Sequence, residues 1–174
     1  MKKRVVIFRC IPLFLLMAII IGAFFSFEAS NHSKFKKVRR FILHDLYNDS
    51  QISFEEELKR QSITAIYIFS SWCSVCISNH KMLHEIKKTN LVKIYGIAWK
   101  DFRQNIKKFL QKYHNPFVAV GYDNQDILNK AMPITGVPEL FLVNSQRQIL
   151  LHLTGKISEA DFQQIIKIIT HVNK

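Results

Sequence analysis

The chain has 174 residues, 48% hydrophobic and 22% charged, with 5 Gly, 4 Pro and 3 Cys. That suits one ordinary domain with a short appendage and excludes disordered, collagen-like, low-complexity and disulfide-stapled classes. The net charge of +12 hints at nucleic acid, but residues 1–40 hold nine Lys/Arg against Glu28 (+8), leaving 16 basic and 12 acidic groups (+4) over residues 41–174. An excess that flanks one hydrophobic segment faces membrane lipid or solvent, so no nucleic-acid partner is expected.

From Cys10 to Phe27 the chain reads CIPLFLLMAIIIGAFFSF, with no charge. As a helix this run spans about 27 Å, close to the hydrocarbon core of a bilayer. A cleaved signal peptide has a shorter apolar run and ends at a small-x-small site. Here the end is Phe24-Phe25-Ser26-Phe27-Glu28. The expectation is an uncleaved membrane anchor over 1–28, lying in lipid through residues 10–27, then a basic tether over 29–40 and a folded domain over 41–174. Four basic side chains precede the run and five follow it in SKFKKVRR, so charge bias alone sets no topology. Cys10 reads as a small apolar residue of the run, and Asn31-His32-Ser33 as a chance glycosylation sequon.

Within the domain, Phe41–Leu46 reads as a short strand. Ser53 with Glu56 reads as a capping box opening a helix over 53–60. Ile63–Ser70 is β-branched and apolar on both faces, the pattern of a buried central strand. Ser71-Trp72-Cys73-Ser74-Val75-Cys76 leads into a helix to about Lys88, with Cys76, Leu83 and Ile86 on one face. Val92–Trp99 is a further strand. Asp101 caps a helix whose Phe102, Ile106, Phe109, Leu110 and Tyr113 follow the helical period, with Trp99 and Phe102 in the core. Phe117–Tyr122 is a strand and Asp123 starts a short helix. Gly136-Val137-Pro138 leads into strand Glu139–Asn144, which pairs in a hairpin with Gln148–Leu153. Ser158 and Asp161 cap a last amphipathic helix. Strands separated by helices require crossovers and a largely parallel core, closed by an antiparallel edge hairpin. This order is that of a thioredoxin-like α/β sandwich.

Cys73 and Cys76 follow a strand and open a helix, where unpaired amides and the helix dipole favour a thiolate. Cys73 is expected to attack as thiolate, and the more buried Cys76 to resolve the mixed disulfide. Trp72 would shield one side of the pair. Pro138, a proline before a strand, is expected to be cis and to expose the backbone of Val137 for peptide pairing. A closed zinc site needs about four N/S ligands. No second CxxC exists, so no metal is expected, although His80 lies on the face of Cys76. His84, His114 and His152 read as surface or packing residues. The redox disulfide is the only cofactor-like group expected.

WCSVC, YGIAWKD (95–101), HNPF (114–117) and GVPELFLVN (136–144) resemble the DsbE family, thioredoxin-like thiol:disulfide interchange proteins of bacterial cytochrome c maturation. The resemblance covers roughly 41–171. It implies a single-pass protein of the bacterial inner membrane with its domain in the periplasm. The implied task is keeping the CxxCH haem-attachment cysteines of apocytochrome c reduced, directly or through a maturation partner, with electrons from a membrane thiol donor. It makes Cys73 the nucleophile, Cys76 the resolving cysteine, Pro138 the cis-proline and Glu139 the acid beside the site. Two positions depart from the pattern: Ser74 stands where relatives often have Pro, and Asn79 where they often have Glu. The alternatives are a broader-range anchored reductase and a copper-delivery protein using the cysteines with a distant His such as His152.

Overall fold

The apolar run at 63–69 becomes the centre of a seven-stranded mixed sheet in the computed structural model, which describes residues 37–173. The elements are β1 (Ile42–Asp45), β2 (Gln51–Ser53), α1 (Phe54–Lys59), β3 (Ile63–Phe69), α2 (Ser74–Lys88), β4 (Lys93–Trp99), α3 (Arg103–Tyr113), β5 (Ala119–Asp123), α4 (Leu128–Ala131), β6 (Glu139–Asn144), β7 (Ile149–Thr154) and α5 (Glu159–Val172). Strand order is β2-β1-β5-β4-β3-β6-β7. The expected anchor and sequon lie outside the described residues, among which no helix is long and apolar enough to cross a membrane.

Every residue of β3 is buried, and its side chains alternate between two cores. Ala65, Tyr67 and Phe69 join Cys76, Leu83 and Ile86 of α2, Ile106, Phe109 and Leu110 of α3, and Ile165 and Ile169 of α5. Ile66 and Ile68 join Phe54 and Leu58 of α1, Leu128 and Ala131 of α4, and Phe141 of β6. The sheet thus carries helices on both faces, and its centre has no polar side to show water.

The parallel core is narrower than the order of elements suggests. Only β3–β4 and β4–β5 pair in parallel. β6 runs antiparallel to β3, with Ile68 opposite Glu139 and Ile63 opposite Asn144. The connection over residues 124–138 contains only the four-residue α4 and stays at the end of the sheet where β5 finishes. β6 therefore starts beside the end of β3, where the cysteines follow. A second edge hairpin, β1–β2, was not expected, because the three residues of β2 are too few and too polar to show a strand pattern.

Capping expectations divide. Ser158 and Asp161 form the reciprocal box at α5, Asp161 N–H to Ser158 Oγ at 3.2 Å and Ser158 N–H to Asp161 Oδ2 at 2.8 Å. The Ser53 box does not form: Ser53 sits at the end of β2, and its side chain caps nothing. Asp123 ends β5, and its carboxylate takes the amides of Gln125, Ile127 and Leu128. The residue before α3 is Phe102, not Asp101. Phe102 consequently lies off the helical stripe and is 77% exposed, contrary to its expected place in the core.

Gly96 of β4 is where the backbone must pass closest to a ring. A Cβ there would lie 2.6 Å from Phe117 Cδ2 and 2.8 Å from Cγ. That ring is fixed against Phe69 and Tyr67, at centroid distances of 5.2 and 6.0 Å. Gly96→Ala should lower stability by about 1–3 kcal/mol through overpacking, read as a shift in urea midpoint. An unchanged midpoint would show that the ring has room to move.

Candidate active site

β3 ends at Phe69, and within four residues the chain turns and starts α2. The turn is closed by Cys73 N–H donating to Ser70 O at 3.3 Å. Cys73 has extended backbone and serves as the N-cap of α2, its Sγ accepting the Cys76 amide at 3.1 Å. The two cysteines form a disulfide with Cα atoms 5.2 Å apart. Cys73 is 7% exposed and Cys76 0%, so both are buried and Cys73 is the more accessible of the two. Charge on Cys73 is favoured by the amide it accepts and by the helix dipole.

Three segments wall the pair. On one side Trp72 stands 62% exposed, its indole N–H donating to the carbonyl of Lys100 at 3.2 Å. On another, the Val137–Pro138 bond is cis, and Val137 packs against the core cluster that contains both cysteines. The third wall is α2 itself. One turn beyond Cys76, Asn79 is buried with all its polar atoms engaged. Its amide donates to Gly155 O at 2.9 Å and Tyr67 Oη at 3.2 Å, and its carbonyl accepts from Ile157 N–H at 2.9 Å. Gly155 N–H in turn donates to Pro138 O at 2.9 Å, so a hydrogen-bonded path runs from α2 to the proline. Burial raises the Tyr67 hydroxyl above its ordinary range, outweighing the opposing bond from Asn79, and this network is neutral.

Glu139 follows Pro138 and is buried on the other face of the sheet. Its Oε1 accepts from Thr135 N–H at 2.7 Å, Thr135 Oγ1 at 2.8 Å and Gly136 N–H at 2.8 Å, and its Oε2 meets His152 Nε2 at 2.7 Å. Burial alone would raise this carboxyl, but the four donors outweigh it and hold it below the ordinary value. The carboxylate thereby ties the loop before Pro138 to β7.

The thioredoxin-like family model matches residues 61–149, which is 89 of the 174 residues. The chain belongs to the thioredoxin-like family. Thiol:disulfide interchange protein DsbE of Vibrio cholerae is 25% identical over 131 residues, covering 75% of this chain and 70% of its own. CycY of Rhizobium leguminosarum, another thiol:disulfide interchange protein, is 32% identical over 93 residues, covering 53% and 50%. A crystal structure from Chlorobium tepidum, described as a DsbE-type interchange protein, shares the fold. Its TM-score is 0.69 at 18% identity, over 82% of this chain and 99% of that one. This is a DsbE-type thioredoxin-like protein, and with Cys73 and Cys76 paired at the head of α2 it is a thiol:disulfide oxidoreductase.

In this thioredoxin-like site the structure gathers Trp72, Cys73, Cys76, Val137 and Pro138 at one end of the sheet. Glu139 touches the same loop from the opposite face. His80 is buried, its ring edge-on to Phe109 at 4.9 Å, and neither ring nitrogen makes a well-formed hydrogen bond. Burial keeps it below the ordinary histidine range, although the nearby carbonyls of Tyr113 and His114 act the other way. Among the described residues no group of three or more His, Cys, Asp or Glu is placed to hold a metal ion. His152 is exposed on β7 and stacks on Phe141 at 4.1 Å, on the face of the sheet opposite the cysteines, so nothing favours the copper-delivery alternative. Sequence reasoning missed the Asn79 network and the His152–Glu139 pair, since neither spacing has a motif.

Because the folded Glu139 carboxyl lies below its ordinary value of 4.5, its ionised form adds stability in full above about pH 4.5, and that contribution is lost as pH falls through the folded value. Glu139→Gln should lower the urea midpoint at pH 7, and the gap to the parent should narrow once the pH drops below about 4. A gap constant from pH 7 to pH 3 would mean that the charge is not what binds the loop.

Proposed function

We propose that this chain is a membrane-tethered reductase of the periplasm that keeps the CxxCH cysteines of apocytochrome c reduced, directly or through a maturation partner with its own cysteine pair. The observation that carries the reading is the unequal burial of Cys73 and Cys76 at the head of α2, beside a cis-proline loop, in a DsbE-type chain. The apolar segment 10–27 supports the tether, and the oxidative load on periplasmic thiols gives an anchored reductase its use there. Long domains translocate largely regardless of flanking charge, so the basic tether is compatible with an external domain.

The chemistry begins with both cysteines reduced by a membrane thiol donor. The Cys73 thiolate attacks one sulfur of the substrate disulfide, forming a mixed disulfide and releasing the other substrate sulfur as a thiolate that takes up a proton. Cys76, deprotonated, then attacks Cys73 Sγ. The intramolecular bond forms, the mixed disulfide breaks, and the second substrate thiol leaves. Two electrons pass to the substrate, and the protein ends in the disulfide state seen here. During the first step the substrate backbone can pair with Val137, whose amide and carbonyl make no main-chain hydrogen bond among the described residues.

Cys73→Ala should abolish disulfide exchange. Cys76→Ala should retain the first attack and accumulate a mixed disulfide, and the captured chain should carry CxxCH or belong to a protein that serves such a chain. Capture of many unrelated periplasmic proteins would favour the broader-range reductase instead. Mass-spectrometric identification of the trapped chain decides between them.

A further inference from the structure

The sequence singles out Lys100-Asp101, and the exchange mechanism above does not use it. The helix it was expected to cap starts after Phe102 instead. Asp101 is 9% exposed. Its Oδ2 accepts the Ser71 amide at 2.5 Å and its Oδ1 the Phe102 amide at 2.6 Å. Among the described residues it makes no ion pair. Its charged neighbours are engaged elsewhere: Lys100 Nζ lies 3.7 Å from Asp126 and 4.2 Å from the Trp99 ring, and Arg103 pairs with Asp49 at 2.6 Å. Glu139 faces His152 on the far side of the sheet, and His80 is buried in α2. Two backbone amides, and no cation among the described residues, hold this carboxylate.

The loop that carries it is stapled to the segment before the nucleophile at three successive residues. Ser70 Oγ donates to Trp99 O at 2.5 Å, Ser71 N–H to the Asp101 carboxylate, and Trp72 Nε1 to Lys100 O. Tyr122 Oη donates to Asp101 O at 2.9 Å and holds the loop from behind. Lys100 sits at φ 51, a left-handed conformation that a lysine adopts only when its surroundings impose it. The Ser70–Ser71 peptide unit links the Asp101 carboxylate to Cys73: its N–H donates to that carboxylate at 2.5 Å and its carbonyl accepts the Cys73 amide at 3.3 Å.

We propose that Asp101 is a positioning and tuning residue for the nucleophile: its carboxylate fixes the turn that presents Cys73 and sets a negative charge near that sulfur, which disfavours the thiolate and keeps the pair reducing. Forming the disulfide removes the thiolate and relieves the repulsion, so the charge shifts the balance toward the disulfide and makes the dithiol a better electron donor. The inference rests on exchange at Cys73 and Cys76 and is independent of the physiological substrate.

The test is the glutathione equilibrium of the full chain at pH 8. Two glutathione thiols are oxidised to one glutathione disulfide while the Cys73–Cys76 bond is reduced to two thiols, two electrons and two protons passing between the pairs. Asp101→Asn should move this equilibrium toward the dithiol by about three- to tenfold, about 14 to 30 mV on a two-electron scale. Asp101→Ser should do the same and covers the case in which the amide variant does not fold. Tyr122→Phe, which loosens the same loop and leaves its charge alone, should lower thermal stability and leave the equilibrium within twofold of the parent. No shift in the Asp101 variants, a shift toward the disulfide, or an equal shift in Tyr122→Phe would overturn the proposal. Each outcome leaves the identity of the trapped partner untouched, so this inference and the proposed substrate fail separately.

Discussion

Cys73 Sγ accepts the Cys76 amide at 3.1 Å, so the sulfur that would attack a substrate is also the cap of α2. That one contact joins folding to chemistry. An N-cap must leave the helical conformation and offer an acceptor to the first turn, and an anionic acceptor satisfies the amides and dipole best. A reactive thiolate therefore completes the helix end. The two residues between the cysteines then set Cys76 one turn on, within bonding distance and out of solvent.

The rest of the fold keeps that turn in place. β3 has no face for water and so cannot be moved to an edge, which brings its end, and Cys73 after it, to the middle of the sheet. β4 ends beside it and supplies the Trp99–Phe102 loop. β6 starts beside it, directly after the cis-proline. The polar atoms nearby are mostly matched: Asn79 needs both a donor and an acceptor and finds Gly155 and Ile157 to supply them, and Glu139 meets four donors. A carboxylate at position 79 would face the Gly155 carbonyl, so the amide suits this surrounding better than an acid would. Asp101, matched by amides alone, stands apart from this balance.

What was legible in the sequence was whatever depends on local pattern. β3 and β6 were readable because a buried strand needs an unbroken apolar run, and α5 because its capping box coincides with an amphipathic stripe. The cysteine motif and Pro138 were readable because their positions relative to strands carry the meaning. What failed depended on distant partners. Asp101 looked like a cap, but its carboxylate is taken up by Ser71, thirty residues earlier, so α3 begins a residue later and Phe102 swings out of the core. Ser53 looked like a cap, but β2 had claimed it. The antiparallel seating of β6 depends on the path of the connection over residues 124–138, which no local pattern announces.

The two cysteines differ in access, Cys73 being the more exposed and Cys76 wholly buried. The direct measurement is to reduce the protein, add iodoacetamide below one equivalent at neutral pH, and map the label by peptide mass spectrometry. Cys73 should carry nearly all of it while Cys76 stays free. Equal labelling of both cysteines, or labelling of Cys76 first, would contradict the account.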